Sequence, residues 1–261
     1  MKRVAVSLLS LAVGAMPFVA LHGSRSIAAT LHTAIASGPS TANGSDSRHT
    51  SVVGGAIGRA LDIIAADDTW DDEREEARRR LRDGQAGTYI GDILNERDSS
   101  VARWPDRHGI PLTVWIQPHS DVPDFTPALV ASVRNAFLEW GTLGLPVQFA
   151  FFTDSSRADV HVTWIDHFTQ PISGRTRWSR DDNWLITDAN VVLAVHHSQG
   201  DVLDEDSMRA MALHEIGHLL GLDHTQDATS IMAPLVRARA LSDADRATVR
   251  LVYALPAGPL R

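Results

Sequence analysis

The chain has 261 residues, 44% apolar and 21% charged, with a formal net charge of −8 and no cysteine. That length holds one good-sized domain plus extensions, and the composition is that of a globular protein. The acidic balance excludes nucleic acid as a default partner, because phosphate binding needs a basic surface. The lack of cysteine excludes a disulfide framework and an N-terminal lipid-modified thiol.

Met1-Lys2-Arg3 is a short basic start, followed by the apolar run Val4 to Ala20 and the small-x-small site Ser26-Ile27-Ala28. Crossing a bilayer takes about 20 apolar residues, so residues 1–28 read as a secretory signal peptide, with an uncleaved anchor as the alternative. The expected location is secreted or periplasmic, with no stable membrane partner after cleavage. Residues 29–70 are rich in Ser, Gly, Thr and Ala over most of their length and read as a low-complexity linker or pro-segment.

Residues 71–103 carry a charged helix, Asp71 to Arg82, and a segment upstream of the main domain. Acids lead the helix (Asp71, Asp72, Glu73) and arginines trail (Arg78 to Arg80, Arg82), as the helix dipole favours; Gly84 ends it. Glu75–Arg79 and Glu76–Arg80 stand four apart, the spacing of helical ion pairs. The apolar stripe, Trp70, Ala77 and Leu81, is thin, which predicts a solvated helix weakly docked on its neighbour.

From Trp104 to the end the pattern is that of a packed domain, residues 104–261. Leu112, Val114 and Ile116 alternate with Thr113 and Trp115, as on a strand. Thr126-Pro127 opens a helix, with threonine as N-cap and proline at the first helical position, and its apolar face runs Leu129, Val130, Val133, Phe137 and Trp140. Val147 to Phe152 and Ala158 to Ile165 are two further strands. A polar stretch with arginines, Ser173 to Ser179, precedes a last strand, Leu185 to Val195. Asp204 to Asp206 then lead a second long helix.

That helix contains His214-Glu215-Ile216-Gly217-His218-Leu219-Leu220-Gly221-Leu222-Asp223-His224, an H-E-x-x-H-x-x-G-x-x-H pattern. Residues four apart on a helix share a face, so His214 and His218 can grip one ion together. Glu215 can reach a water on the metal without ligating it. Gly221, without Cβ, turns the chain through a left-handed conformation and brings His224 back as a third nitrogen. Three imidazoles with an open fourth position describe a catalytic Zn²⁺ site.

The pattern resembles the signature of metzincin metalloproteases. The methionine of Ser230-Ile231-Met232, eight residues after His224, resembles the short Met-turn spacing of the matrixin branch, and Leu241 to Tyr253 is similar to the matrixin C-terminal helix. Astacin-type enzymes usually carry Glu where this chain has Thr225, and a tyrosine where it has Pro234. The resemblance implies an α+β domain: a twisted, mostly parallel sheet with an antiparallel edge strand, an active-site helix and a C-terminal helix. It implies a zinc endopeptidase with His214, His218 and His224 as ligands, Glu215 as general base and Met232 as an apolar floor. Protein or peptide substrates would add to a sheet edge near Gly174-Arg175-Thr176, with Pro234 beside the cleft. The segment Leu235 to Ala240, carrying Arg237 and Arg239, would wall the pocket for the residue after the cut.

Other family features are missing. Matrixins hold a second zinc with a His-x-Asp cluster and further histidines; here only His167 is present, with Asp166, Asp181, Asp182 and Asp188. One catalytic zinc is therefore expected. Ca²⁺ is compatible with those carboxylates without being specified by them. His196-His197 precede a polar loop and are expected on the surface. The cysteine latency switch of animal matrixins is impossible here. Tyr89-Ile90-Gly91-Asp92 resembles the aromatic-x-Gly-Asp segment of astacin pro-peptides, which makes Asp92 a candidate latency ligand; the competing reading of residues 89–94 is a strand and turn packed on the domain. Two rival functions remain: a secreted zinc-binding module without peptidase activity, and a zinc hydrolase of a non-peptide substrate. Neither the physiological substrate nor the oligomeric state is specified.

Overall fold

Leu112, Val114 and Ile116 are buried on β2 (Leu112–Ile116) while Thr113 and Trp115 are half-exposed, the alternation of a strand with one face in a core. In the computed structural model, which describes residues 72 and 74–260, β2 lies inside a five-stranded sheet. The expected signal peptide, the linker and Trp70 fall outside the described residues. The other strands are β3 (Phe149–Phe151), β4 (Val160–Ile165), β5 (Gly174–Arg180) and β6 (Ile186–Ala194), in the order β3-β2-β4-β6-β5. All neighbours are parallel except β5, which runs antiparallel to β6 and forms an edge of the sheet. This is the α+β arrangement the resemblance implies.

Helix α3 (Pro127–Gly141) connects β2 to β3 and buries Leu129, Val133, Ala136, Phe137 and Trp140. Thr126 has the extended N-cap backbone, but its side chain makes no capping hydrogen bond. Pro127 alone marks the start, since its missing N–H leaves no donor unsatisfied there. Helix α4 (Glu205–Leu219) packs against α3 on one side and β5 and β6 on the other. Its N-cap, Asp204, accepts a hydrogen bond from the Ser207 N–H at 2.7 Å. The Trp140 indole N–H donates to the Leu213 carbonyl (3.0 Å), and that of Trp104 donates to the Leu219 carbonyl (2.9 Å). Two large aromatic side chains thus brace the C-terminal half of α4, where the histidines stand. Helix α5 (Asp243–Ala254) begins with a capping box between Ser242 and Asp245.

The segment before Trp104 is not a separate piece. Residues 72–260 form one compact unit. A helix including residues 74–84 (α1) buries Ala77 and sets Leu81 against the core, while Arg80 donates to the last carbonyl of α5, that of Ala254, at 2.9 Å. Glu76 pairs with Arg80 as the spacing predicts; Glu75 pairs with Arg78 and Arg82, not Arg79. Residues 89–94, expected as a pro-peptide-like stretch or as a strand and turn, lie in and beside a short helix, α2 (Ile90–Glu96), with Ile90 and Ile93 buried. Strand β1 (Ser100–Val101) then pairs antiparallel with β7 (Gly258–Pro259), tying this segment to the C-terminal end. Tyr89, Ile90 and Ile93 of this segment are buried in the same hydrophobic cluster as the residues after Trp104. Among the described residues no helix is long and apolar enough to cross a membrane.

Candidate metal centre and active site

Helix α4 ends at Leu219, and Gly221 follows with φ +96°. A Cβ there would lie 2.2 Å from the backbone carbonyl oxygen of Ala102, so conformation and space both demand glycine. The turn carries the chain back to His224. The Nε2 atoms of the three histidines converge: 3.1 Å between His214 and His218, 3.2 Å between His218 and His224, 3.3 Å between His214 and His224. Tetrahedral ligands about 2.0–2.1 Å from a zinc ion stand about 3.3 Å apart, so the spacing fits that ion.

The proton positions fit it as well. His214 Nδ1 lies 2.8 Å from the Ile231 carbonyl and His218 Nδ1 lies 3.0 Å from the Leu222 carbonyl. A carbonyl only accepts, so each Nδ1 carries the hydrogen and each Nε2 a lone pair. Burial pushes the His214 imidazole down to about 4 and holds His218 and His224 below the ordinary value, keeping the rings neutral. Neutral rings aiming lone pairs at one point repel one another unless a cation sits between them. Among the described residues this is the one group of three or more His, Cys, Asp or Glu side chains with ligand atoms close enough to share an ion.

Glu215 is 3% exposed, and its environment comes from β5. A Cβ on Gly174 would lie 2.4 Å from Glu215 Oε1, so only glycine lets the strand pass this close. Thr176 Oγ1 lies 2.7 Å from Glu215 Oε2 and 2.9 Å from the Glu215 carbonyl oxygen. Burial raises the Glu215 carboxyl to about 7, against the opposing pull of Thr176 and Arg175. Arg175 itself lies over the Phe168 ring, 4.9 Å from its centroid, and donates to Gln170. Gly174 and Thr176, expected along a substrate edge, are thus also the two residues that shape the surroundings of Glu215.

Beneath the histidines, Met232 is fully buried against Gly217, where a Cβ would come 2.3 Å from its Sδ. The Met232 carbonyl accepts from the Thr225 N–H at 3.1 Å, next to the third histidine. Asp245 of α5, fully buried, holds this turn: it accepts from the Ile231 N–H (3.0 Å), the Ser230 hydroxyl and the Tyr89 hydroxyl (3.0 Å). A continuous hydrogen-bonded path thus runs from Tyr89 through Asp245 and Ile231 to His214. Pro234 follows the turn, half-buried. Arg239 donates to Ser207 Oγ (3.0 Å) and its carbonyl accepts from Arg209 (2.9 Å), pinning the segment after Pro234 to α4; Arg237 is exposed.

Two expectations need correction. Asp92 is not among the groups that converge with the histidines; it lies in the first turn of α2, whose buried face is committed to the core, so it is not a latency ligand in this structure. His196, expected on the surface, is buried, with Nε2 3.0 Å from Asp124 and Nδ1 2.6 Å from Asp166. Those carboxylates, Asp124 first, raise its basicity. His197 is half-buried, with Nδ1 2.9 Å from the Ser173 hydroxyl. Asp181 is engaged by the N–H groups of Asn183 and Leu185, and Asp188 lies near Ser179; with Asp166 they do not gather into a calcium cage.

The family model for matrixins matches residues 165–254, from the end of β4 through α5. Matrix metalloproteinase-C of Caenorhabditis elegans is 38% identical over 68 residues, which cover 26% of this chain and 10% of that protein. Human matrix metalloproteinase-16 is 31% identical over 116 residues, covering 42% of this chain and 17% of that protein. Metalloendoproteinase 5-MMP of Arabidopsis thaliana is 26% identical over 178 residues, covering 60% and 47%. The chain thus spans less than half the length of each of these relatives. Over residues 165–254, which hold the three-histidine turn, the buried methionine beneath it and the antiparallel edge strand beside the glutamate, the chain is similar to the matrixins.

Proposed function

We propose that this protein is an exported zinc-dependent endopeptidase, with His214, His218 and His224 holding one zinc and Glu215 as the general base. The observation that carries the reading is the convergence of three neutral Nε2 atoms at tetrahedral spacing beside a buried glutamate. When bound, zinc supplies Lewis acidity, making water acidic near neutral pH and polarising a carbonyl. Glu215 takes the proton of the attacking water on its carboxylate and passes it to the leaving amine. A carboxyl poised near 7 suits both halves of that transfer.

Thr176 serves both protonation states. Its hydroxyl has one hydrogen and two lone pairs. It donates to Glu215 Oε2 when the carboxylate is ionised. When Glu215 is protonated, the hydroxyl accepts the carboxyl hydrogen and turns its own toward the Glu215 carbonyl. Tyr89 is committed to Asp245 and Tyr253 is buried in α5, so no tyrosine assists the developing oxyanion.

The open edge of β5 suits an extended peptide, which would add as a further strand and lay its scissile bond over the histidines. The matrix metalloproteinase names of the relatives agree with a peptide or protein substrate. Export rests on the basic start and apolar run of residues 1–28. The test is hydrolysis of internally quenched peptides by the purified chain, before and after removal of zinc with a chelator and after its return. Activity that vanishes and comes back is the expected result. Bound zinc without hydrolysis of any peptide would instead leave a binding module, and cleavage of simple esters alone would leave a non-peptide hydrolase.

A further inference from the structure

We infer that Arg97, at the end of α2, is a positioning residue for the metal centre, resting on the reading of the three histidines as zinc ligands. Its guanidinium grips the turn between the second and third histidines at three consecutive residues. Nη1 donates to the Gly221 carbonyl at 2.9 Å, Nη2 to the Leu222 carbonyl at 3.3 Å, and Nε lies 2.6 Å from Asp223 Oδ2. The Leu222 carbonyl is the same oxygen that accepts from His218 Nδ1 at 3.0 Å. One acceptor therefore joins Arg97 to the tautomer and orientation of a ligand. On its other side the guanidinium lies over the Trp178 ring of β5, 5.3 Å from the centroid.

Chemistry favours this site for arginine in particular. The Gly221 and Leu222 carbonyls lie just past the C-terminal end of α4, where the negative pole of the helix favours a cation. A planar fork meets two carbonyls and a carboxylate together, which a lysine cannot do. The Arg97 side chain is 11% exposed, so solvent screens these contacts little. Its backbone is fixed in turn: the Arg97 N–H donates to the Ile93 carbonyl, and Ile93 is fully buried. The left-handed turn at Gly221 carries His224 on its far end, and Arg97 holds that turn closed from outside the motif. The segment before Trp104 is on this account part of the working metal site.

The experiment uses the full chain with Arg97→Gln and Arg97→Lys, and Arg103→Gln as a control. Arg103 lies in the same segment and donates to the Leu255 and Trp104 carbonyls (both 3.0 Å), contacts made to other parts of the fold. Zinc affinity is read by competition with a chromophoric chelator, the ligand field by the visible spectrum of the cobalt-substituted protein, and stability by melting the metal-free form. Arg97→Gln is expected to weaken zinc binding about tenfold or more and to alter the cobalt bands, the usual scale for a group that orients a ligand. Arg97→Lys should recover part of the affinity, and Arg103→Gln should lower the melting point with zinc affinity unchanged. If Arg97→Gln does not fold, Asp223→Asn, which keeps size and removes the ion pair, must itself weaken zinc and shift the cobalt bands. Wild-type zinc affinity and spectrum in Arg97→Gln, or in Asp223→Asn where that stands in, overturn the inference alone. A wild-type chain that binds no zinc overturns it together with the reading of the histidines.

Discussion

Glu215 shows how one side chain trades stability for chemistry. Burial between α4 and β5 raises its carboxyl from 4.5 to about 7. Between those pH values the folded protein binds more protons at this position than the unfolded chain, so its contribution to stability falls as pH rises. At 1.36 kcal/mol per pH unit, the full cost above pH 7 is about 3 kcal/mol as an upper estimate. His214 works in the opposite direction. Its basicity is lowered to about 4, so the stability tied to its neutral form is complete above 6.5 and lost as pH falls toward 4. Glu215→Gln removes the first effect and leaves the second. The metal-free variant should therefore melt higher than the metal-free wild type at pH 8, with the gap closing as pH falls to 4.5. Equal melting points at pH 8 would show that the carboxyl is not strained by burial.

At the scale of elements, the active-site helix was legible and its supports were not. His214, Glu215 and His218 lie within five residues, and helical geometry alone puts both histidines on one face. Strand β2 was legible from its period, since Leu112, Val114 and Ile116 repeat every second residue, whereas β5 read as a polar stretch and was placed at the sheet edge only by the resemblance. By contrast, Arg97 meets Gly221 across 124 residues, and His196 meets Asp124 across 72; no local period records such pairs. The Thr176 hydroxyl on Glu215 is likewise a product of strand β5 crossing α4. Gly221 joins both kinds of information. Its place in the motif announced a turn, while the Ala102 carbonyl against it is a tertiary fact. Gly221→Val should lower zinc affinity at least about tenfold without touching the metal, because a left-handed backbone costs a β-branched residue roughly 1–2 kcal/mol or more and the carbonyl cannot swing aside. A zinc titration equal to wild type would mean that the turn does not set His224.

Over the whole molecule, the lesson concerns where the domain begins. Charge patterning made the helix Asp71 to Arg82 look weakly docked, because a helix with a thin apolar stripe has little to bury. The apolar anchors of residues 71–103 stand elsewhere, at Tyr89, Ile90 and Ile93, too few and too closely spaced to announce a helix that docks on α5. Burying each isoleucine is worth roughly 1.5–3 kcal/mol. With the Tyr89–Asp245 bond and the Arg97 clamp added, a chain starting at Trp104 should lose a large part of its stability. Its melting point should fall on the order of 10 °C or more below that of a chain starting at Asp72. Equal melting points would place the boundary back at Trp104.

The most direct test of the metal centre as a peptidase site is Glu215→Ala, assayed for zinc content and peptide hydrolysis on one preparation. The expected result is zinc near one ion per chain, held by the three untouched histidines, with hydrolysis reduced about 100-fold or more, the scale of losing a general base. Hydrolysis at the wild-type rate with zinc in place would contradict the role of Glu215 and, with it, the mechanism derived from this site.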